Sequence, residues 1–409
     1  MDRHTRTPEL VMDLDVVAGA YRSLTAALPR VTVYYAMKCN PHPEVLRCLF
    51  RLGSSFEIAS APELDALLRL GVDPATVLYS NPVKPVMHIA RAYAAGVRQF
   101  AFDSLDELAK LGHAAPGSSA IVRLAANQAH SDVPSEGKFG VDAEAAVTLL
   151  LAALDYGLRP YGVAFHVGSQ MLSPFAWTKP LATVRKIMDR LARKNVFIEV
   201  VDLGGGFPAR YAAEPLPLSE YAMVIEAGLD QLPYPVRAVM EPGRAVVAEA
   251  GTLIATVIGT AVRHGERWIH LDVGAFNGLM ESLETGNRLR YPVSDSRNST
   301  AKDRFHLTGP TCDSQDTILF DVELSADLAT GDLVYIGSTG SYTTVYASTF
   351  NGFDIPTIRC VTGSSAATVA GTYDPPSSRG ARLHPTEWAG SIETLDDVGY
   401  ARRNGGLSI

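Results

Sequence analysis

A lysine closing one apolar run, a histidine closing another and a glutamate closing a third are the side chains here whose types and spacing could do chemistry. Lys38 follows Val33-Tyr34-Tyr35-Ala36-Met37. An amine leaving a partly desolvated rim has a lowered pKa and is available for Schiff-base formation. By position alone it reads sooner as a lysine carrying its charge out to solvent at a strand end. Gly204-Gly205-Gly206 and Glu241-Pro242-Gly243-Arg244 offer backbone N–H groups unobstructed by side chains, which suits a phosphate, with Arg244 as a charged fork. As plain turns they would only reverse the chain. Glu241 would repel a phosphate and wants a cationic partner, which could be Arg244 itself. His166 could stack on a flat ring, although a lone histidine after an apolar strand is more often structural. In Thr308-Gly309-Pro310-Thr311-Cys312-Asp313, Cys312 could act as an acid and Asp313 could bind a cation, unless this is a surface turn with an incidental thiol.

These residues need a scaffold that gathers them. From about residue 31, short β-rich runs alternate with amphipathic segments of helical spacing. The expected strands are Val31–Lys38, Ser55–Ala59, Val77–Ser80, Gln99–Asp103, Ala120–Ala125, Gly162–His166, Phe197–Leu203 and Arg237–Glu241. Near-continuous apolar strands point to a parallel sheet covered by helices, and eight is the number that closes a TIM-type (β/α)8 barrel. An open doubly wound sheet stays possible, because periodicity does not show closure. In a barrel the active site lies at the C-terminal ends of the strands, where Lys38, Glu57, Arg123, His166, the glycine triplet and Glu241 would converge. Beyond Ala245 strand-like runs dominate, which reads as a C-terminal antiparallel β domain. The expected division is residues 24–247 for the barrel, 1–23 with 248–372 for the β domain, and an irregular tail over 373–409.

Composition narrows the function classes. The 409 residues suit two domains, and 47% hydrophobic with 20% charged residues is ordinary for a globular protein. A net charge of −8 argues against nucleic acid or an anionic membrane as the main partner. The most apolar stretch, Gly251–Val262, is too short to cross a bilayer, and the N-terminus lacks a signal-peptide core. Four cysteines without a CxxC pair suggest neither a disulfide scaffold nor a zinc site. No metal is expected, and a reducing cytoplasm is the expected compartment.

The motifs together resemble the ornithine/lysine decarboxylase family. Ala36-Met37-Lys38-Cys39-Asn40, His166-Val167-Gly168-Ser169, Gly204-Gly205-Gly206-Phe207-Pro208, Glu241-Pro242-Gly243-Arg244, Gly309-Pro310-Thr311-Cys312-Asp313 and Tyr342 with Ala347 to Phe353 stand in that family's order. The likeness covers roughly Thr7 to Val361. It implies an alanine-racemase-type fold, a pyridoxal 5′-phosphate cofactor and a homodimer with shared active sites. Lys38 would carry the cofactor, His166 would stack on its ring, and Glu241 would pair with the pyridine nitrogen and keep it protonated. Ser169, Gly205, Gly206, Gly243, Arg244 and Tyr342 would hold the phosphate. Glu57 sits where the family has an acid near the lysine, and Arg123 matches its strand-five arginine. Cys312 and Asp313 would reach the site from the other subunit, Cys312 protonating Cα and Asp313 binding the distal ammonium.

The implied reaction is decarboxylation of a basic L-amino acid, ornithine or lysine, to a diamine. The segment Asp272–Glu281 resembles the family's specificity region, and Glu281 or Glu284 could add a carboxylate toward the distal amine or be solvated helix residues. Diaminopimelate, or an ornithine conjugate in a specialised route such as a siderophore pathway, stays open as substrate. A racemase is disfavoured because alanine racemases place arginine at the pyridine nitrogen. A non-catalytic regulatory homologue is disfavoured because Lys38, Arg244 and Cys312 are all present.

Overall fold

In a computed structural model, which describes residues 6–125, 131–133 and 137–363, eight parallel strands close into a barrel. They are Val31–Ala36, Ser55–Ile58, Val77–Tyr79, Gln99–Phe102, Ser119–Arg123, Arg159–Ala164, Val200–Asp202 and Arg237–Met240. Each pairs with its neighbour in sequence, and the eighth returns to the first through Met240 opposite Val33. The apolar runs are explained by burial on two faces: strand one is Val-Thr-Val-Tyr-Tyr-Ala, with only Thr32 exposed. Lys38, His166 and Glu241 lie just beyond the ends of their strands, while Arg123 and Asp202 are the last residues of theirs, and together they mark one mouth.

Helices pack outside. The helix Pro43–Arg51 shows why they form where they do: His42 caps it by accepting from Glu44 N, proline opens it, and Val45, Leu46 and Leu49 face inward. Burying each such side chain contributes on the order of 1.5–3 kcal/mol. Among the described residues no helix is long and apolar enough to cross a membrane.

The second sheet has eight strands and includes the N-terminal strand Glu9–Asp13 together with strands between Gly251 and Val361. It is mixed, not purely antiparallel as expected. Glu9–Asp13 runs parallel to Thr357–Val361, and Glu266–Leu271 runs parallel to Lys302–Thr308. Parallel neighbours need a long crossover, and the excursion over residues 272–301 provides it. The irregular tail expected from Tyr373 lies outside the described residues, as does the end of the expected β domain beyond residue 363.

Behind strands three and four sits an ion pair that no motif announced. Lys84, 1% exposed, has its Nζ 2.9 Å from Glu107 Oε1 and donates to the carbonyls of Asn81 and Ala101 at 2.9 and 2.5 Å. Burial outweighs Glu107 and pulls the Lys84 amine down to about 8. Lys110 caps the other side of Glu107. Glu107→Ala would leave Lys84 buried and uncompensated, and should cost about 3–5 kcal/mol in denaturant unfolding. A loss under about 1 kcal/mol would mean that the pair is not stabilised as described.

Candidate active site

Lys38 sits on a single tight turn, Met37–Cys39, just past strand one. Three contacts fix that turn. The Tyr35 hydroxyl donates to Asn40 O (2.9 Å), the Asn40 amide donates to Gly340 O (2.8 Å), and Tyr342 N donates to Cys39 O (2.9 Å). The last two tie the lysine turn to the second sheet. Tyr342 adopts φ 58°, a left-handed conformation that a bulky residue holds only when its surroundings impose it. Lys38 itself is exposed. The partial desolvation expected from its apolar strand ends at Met37, a correction to the argument from the preceding run.

A cleft of about 510 Å³, part of it open solvent, lies at the strand ends. Lys38, Arg123, His166, Ser169, Gly205, Gly206, Glu241, Gly243, Arg244 and Tyr342 all line it, together with Ala36 and Phe207. The glycines are required by close backbone approach. A Cβ on Gly205 would stand 2.6 Å from Glu241 O, one on Gly206 2.4 Å from Gly168 O, and one on Gly243 2.8 Å from Cys39 Sγ. Gln170, which the sequence reading passed over, clamps these loops: its side-chain amide donates to Ala209 O (2.7 Å) and accepts from Ala209 N (3.1 Å). His166 Nδ1 accepts from Gly205 N at 3.2 Å, which leaves the ring proton on Nε2. Burial, Arg123 and Lys38 together hold this imidazole well below its usual pKa, so it is a flat, neutral face.

Acids crowd the cleft floor. Glu57 is 2% exposed and does not line the cleft, although Lys38 acts on it electrostatically. Burial pushes Glu57 up to about 8, with Glu241 adding to the rise and Lys38 opposing it. Glu241 Oε1 and Asp202 Oδ2 are buried without a hydrogen-bond donor. An orphaned carboxylate oxygen facing a cleft calls for a cation. That is the test for pyridoxal phosphate, and the residues fit it. Glu241 would meet a protonated ring nitrogen, Lys38 would provide the amine and His166 the stacking face, and the Gly205, Gly206, Gly243 and Ser169 side would leave room for the phosphate.

Two expectations change. Arg244 does not present an open fork. Its guanidinium is fully buried against Glu281 in a bidentate pair, donates to the Tyr211 hydroxyl at 2.6 Å and to Ser169 Oγ at 3.1 Å, and lies 5.0 Å from the Tyr342 ring. Glu281 therefore anchors this arginine and is not available to a substrate amine. Glu284 is exposed beside it, its carboxyl raised by burial and by Glu281. Cys312 and Asp313 do not line the cleft of their own chain; Cys312 is exposed, 3.6 Å from Asn351 Oδ1. Their turn hangs on Asp316, another residue without a sequence signal. The buried Asp316 carboxylate accepts from Ala275 N (2.7 Å), Thr311 N (3.0 Å) and Thr311 Oγ1 (2.7 Å).

Because Glu281 compensates a buried cation, Glu281→Ala should destabilise the cofactor-free chain by about 3–5 kcal/mol. Thermal and denaturant unfolding measure this before any substrate is present. Unchanged stability with only KM raised would return Glu281 to a substrate role.

Comparison with known proteins agrees with this geometry. Residues 14–248 match the family model described as pyridoxal-dependent decarboxylase, pyridoxal binding domain. A lysine/ornithine decarboxylase from Selenomonas ruminantium is 39% identical over 359 residues, covering 86% of this chain and 89% of that protein. The Vibrio vulnificus lysine/ornithine decarboxylase in complex with putrescine superposes with TM-score 0.80 at 33% identity, over 88% of this chain and 95% of that one. A lysine decarboxylase structure from Selenomonas ruminantium gives TM-score 0.81 at 36% identity, over 89% and 95%. The orphaned Glu241 oxygen, the exposed Lys38 amine and the neutral His166 face thus lie in a fold that these enzymes share, and the chain belongs to the pyridoxal-dependent decarboxylases.

Proposed function

We propose that the chain decarboxylates a basic L-amino acid, ornithine or lysine, and releases the corresponding diamine. The observation that carries this reading is the pairing of a thiol with a carboxylate, Cys312-Asp313, held rigidly by Asp316. It offers a proton donor and an ammonium site on one short turn. The putrescine-bound Vibrio vulnificus enzyme and the Selenomonas ruminantium lysine/ornithine decarboxylase support the substrate class.

Bound pyridoxal phosphate supplies an aldehyde that bonds to amines and a ring that takes up the electron pair of a breaking Cα–carboxylate bond. Lys38 holds the cofactor through its amine. Glu241 keeps the proton on the pyridine nitrogen, and His166 presses its neutral ring against one face. Gly205, Gly206, Gly243, Ser169 and Tyr342 hold the phosphate, with Arg244 adding its charge from behind Ser169. Glu57 stays near the lysine and Arg123 near His166, setting the field at the reacting centre. Asp313 accepts the distal ammonium in a charge-assisted hydrogen bond. Cys312 delivers a proton to Cα in place of the departed CO₂.

For that proton to arrive, Cys312 must reach a cleft it does not line in its own chain. A second copy of the chain supplies it in this reading, so the enzyme is a homodimer with two shared sites. The cytoplasm, where thiols stay reduced, suits four cysteines that form no disulfide. Diaminopimelate or an ornithine conjugate would use the same machinery with a different distal group.

Measuring CO₂ release from ornithine, lysine, arginine and meso-diaminopimelate tests the substrate; ornithine or lysine should lead, and preference for meso-diaminopimelate would overturn the proposal. Cys312→Ala should retain cofactor and lose about a hundredfold or more in amine formation. Mixing inactive Lys38→Ala and Cys312→Ala chains should restore about one quarter of wild-type activity, since half the random dimers are hybrids with one intact site. No recovery after proven subunit exchange would rule out shared sites.

A further inference from the structure

Asp202 ends barrel strand seven and Glu241 follows strand eight, and the two carboxyl groups are adjacent across that strand pair. Asp202 is 1% exposed and Glu241 6%. Asp202 Oδ1 accepts from Gly204 N at 2.9 Å, whereas Asp202 Oδ2 and Glu241 Oε1 receive no donor. The facing groups are Glu241 itself, Arg123 at the end of strand five and, across Gly205, the neutral His166. On its other side Glu241 faces Glu57, which faces Lys38 and Glu63 in turn. Two buried carboxylates in contact cannot both be charged at modest cost. One proton between them gives Asp202 Oδ2 a partner on the Glu241 carboxylate and leaves a single negative charge at the cleft.

We infer that Asp202 is a neutral carboxylic acid whose Oδ2 donates its proton to the Glu241 carboxylate, making Glu241 the anionic member of the pair. The assignment of roles follows from position. Asp202 is the deeper group and spends its other oxygen on Gly204 N, while Glu241 lines the cleft. Asp202 is thereby a positioning residue: it holds the Glu241 carboxylate in one orientation and spreads its charge into a strong hydrogen bond. Burial first, and then the Glu241 charge, hold the Asp202 carboxyl well above the usual range, with Arg123 opposing. The inference rests on the reading of Glu241 as partner of the pyridine nitrogen only for its catalytic meaning; the shared proton exists in the cofactor-free chain.

Asparagine is the neutral acid's isostere. Its oxygen can accept from Gly204 N and its NH₂ can donate to Glu241, so Asp202→Asn should preserve the arrangement and Asp202→Leu should break it. A carboxyl whose folded-state pKa is raised costs the fold stability as the pH rises from its unfolded to its folded pKa, because over that range the folded chain holds a proton that the unfolded chain has released. Wild-type stability should therefore decline relative to Asp202→Asn as the pH rises above the ordinary aspartate range, about 4. In the cofactor-free protein the Asn variant's thermal midpoint should equal or exceed wild type at about pH 8, far above the ordinary aspartate range, and the gap should close toward acid. An Asn variant that melts below wild type near that same pH, about 8, would mean Asp202 is charged in the fold, and would overturn the inference. By absorbance titration, Asp202→Asn should bind pyridoxal phosphate within about threefold of wild type, and Asp202→Leu should lose about tenfold or more. Equal losses in the two would also overturn it. Glu241→Gln separates the two readings: an unaltered spectrum of bound cofactor removes Glu241 from the ring nitrogen, and the melting curves of the cofactor-free chain then decide the shared proton alone.

Discussion

Closure of the eight-stranded parallel sheet is the constraint from which the rest of the site descends. Because all strands point the same way, the residues following them form one ring, and Lys38 and Glu241, far apart in sequence, line one cleft. The lysine turn after strand one, His166 after strand six, the glycine loop after strand seven and Glu241 after strand eight are neighbours only through this closure. The second sheet completes it from outside. Asn40 and Cys39 are hydrogen-bonded to Gly340 and Tyr342, residues 300 or so positions away, so the amine of Lys38 is aimed by both halves of the fold.

The ring is electrostatically unbalanced at its floor and balanced at its rim. Glu57, Asp202 and Glu241 are all buried, and burial raises the first two. An apolar core of the same shape would be more stable in isolation; the acids make sense as a field prepared for a cationic ring nitrogen. On the rim, Arg244 spends its fork on Glu281 and Tyr211. In the proposed site a phosphate would be met mainly by backbone N–H groups and Ser169, with the paired Arg244 close behind.

Much of this was legible in the chain because parallel strands buried on two faces leave an unmistakable apolar run, and because the reactive residues close those runs. Lys38, His166 and Glu241 could be read that way. Asp202 could not: it looks like any polar residue before a glycine turn, and its meaning depends on a carboxylate on the next strand. Gln170, Tyr211, Lys84 and Asp316 share that difficulty, since each acts through partners 17 to 41 positions distant. The pairing of Glu281 was hidden for the same reason, its partner Arg244 lying 37 residues upstream. The mixed sheet escaped notice because strand patterns carry no direction; only the long excursion after Leu271 hinted at a parallel crossover.

The amine of Lys38 is the group on which the whole arrangement converges, and the covalent bond to the cofactor proposed for it can be tested by trapping. Reduction of the pyridoxal-phosphate-loaded protein with borohydride, followed by peptide mass spectrometry, should find the pyridoxyl group on the peptide containing Ala36-Met37-Lys38-Cys39-Asn40. Its recovery on Lys84, the buried lysine whose amine is drawn down by burial, or on no lysine at all, would contradict the account.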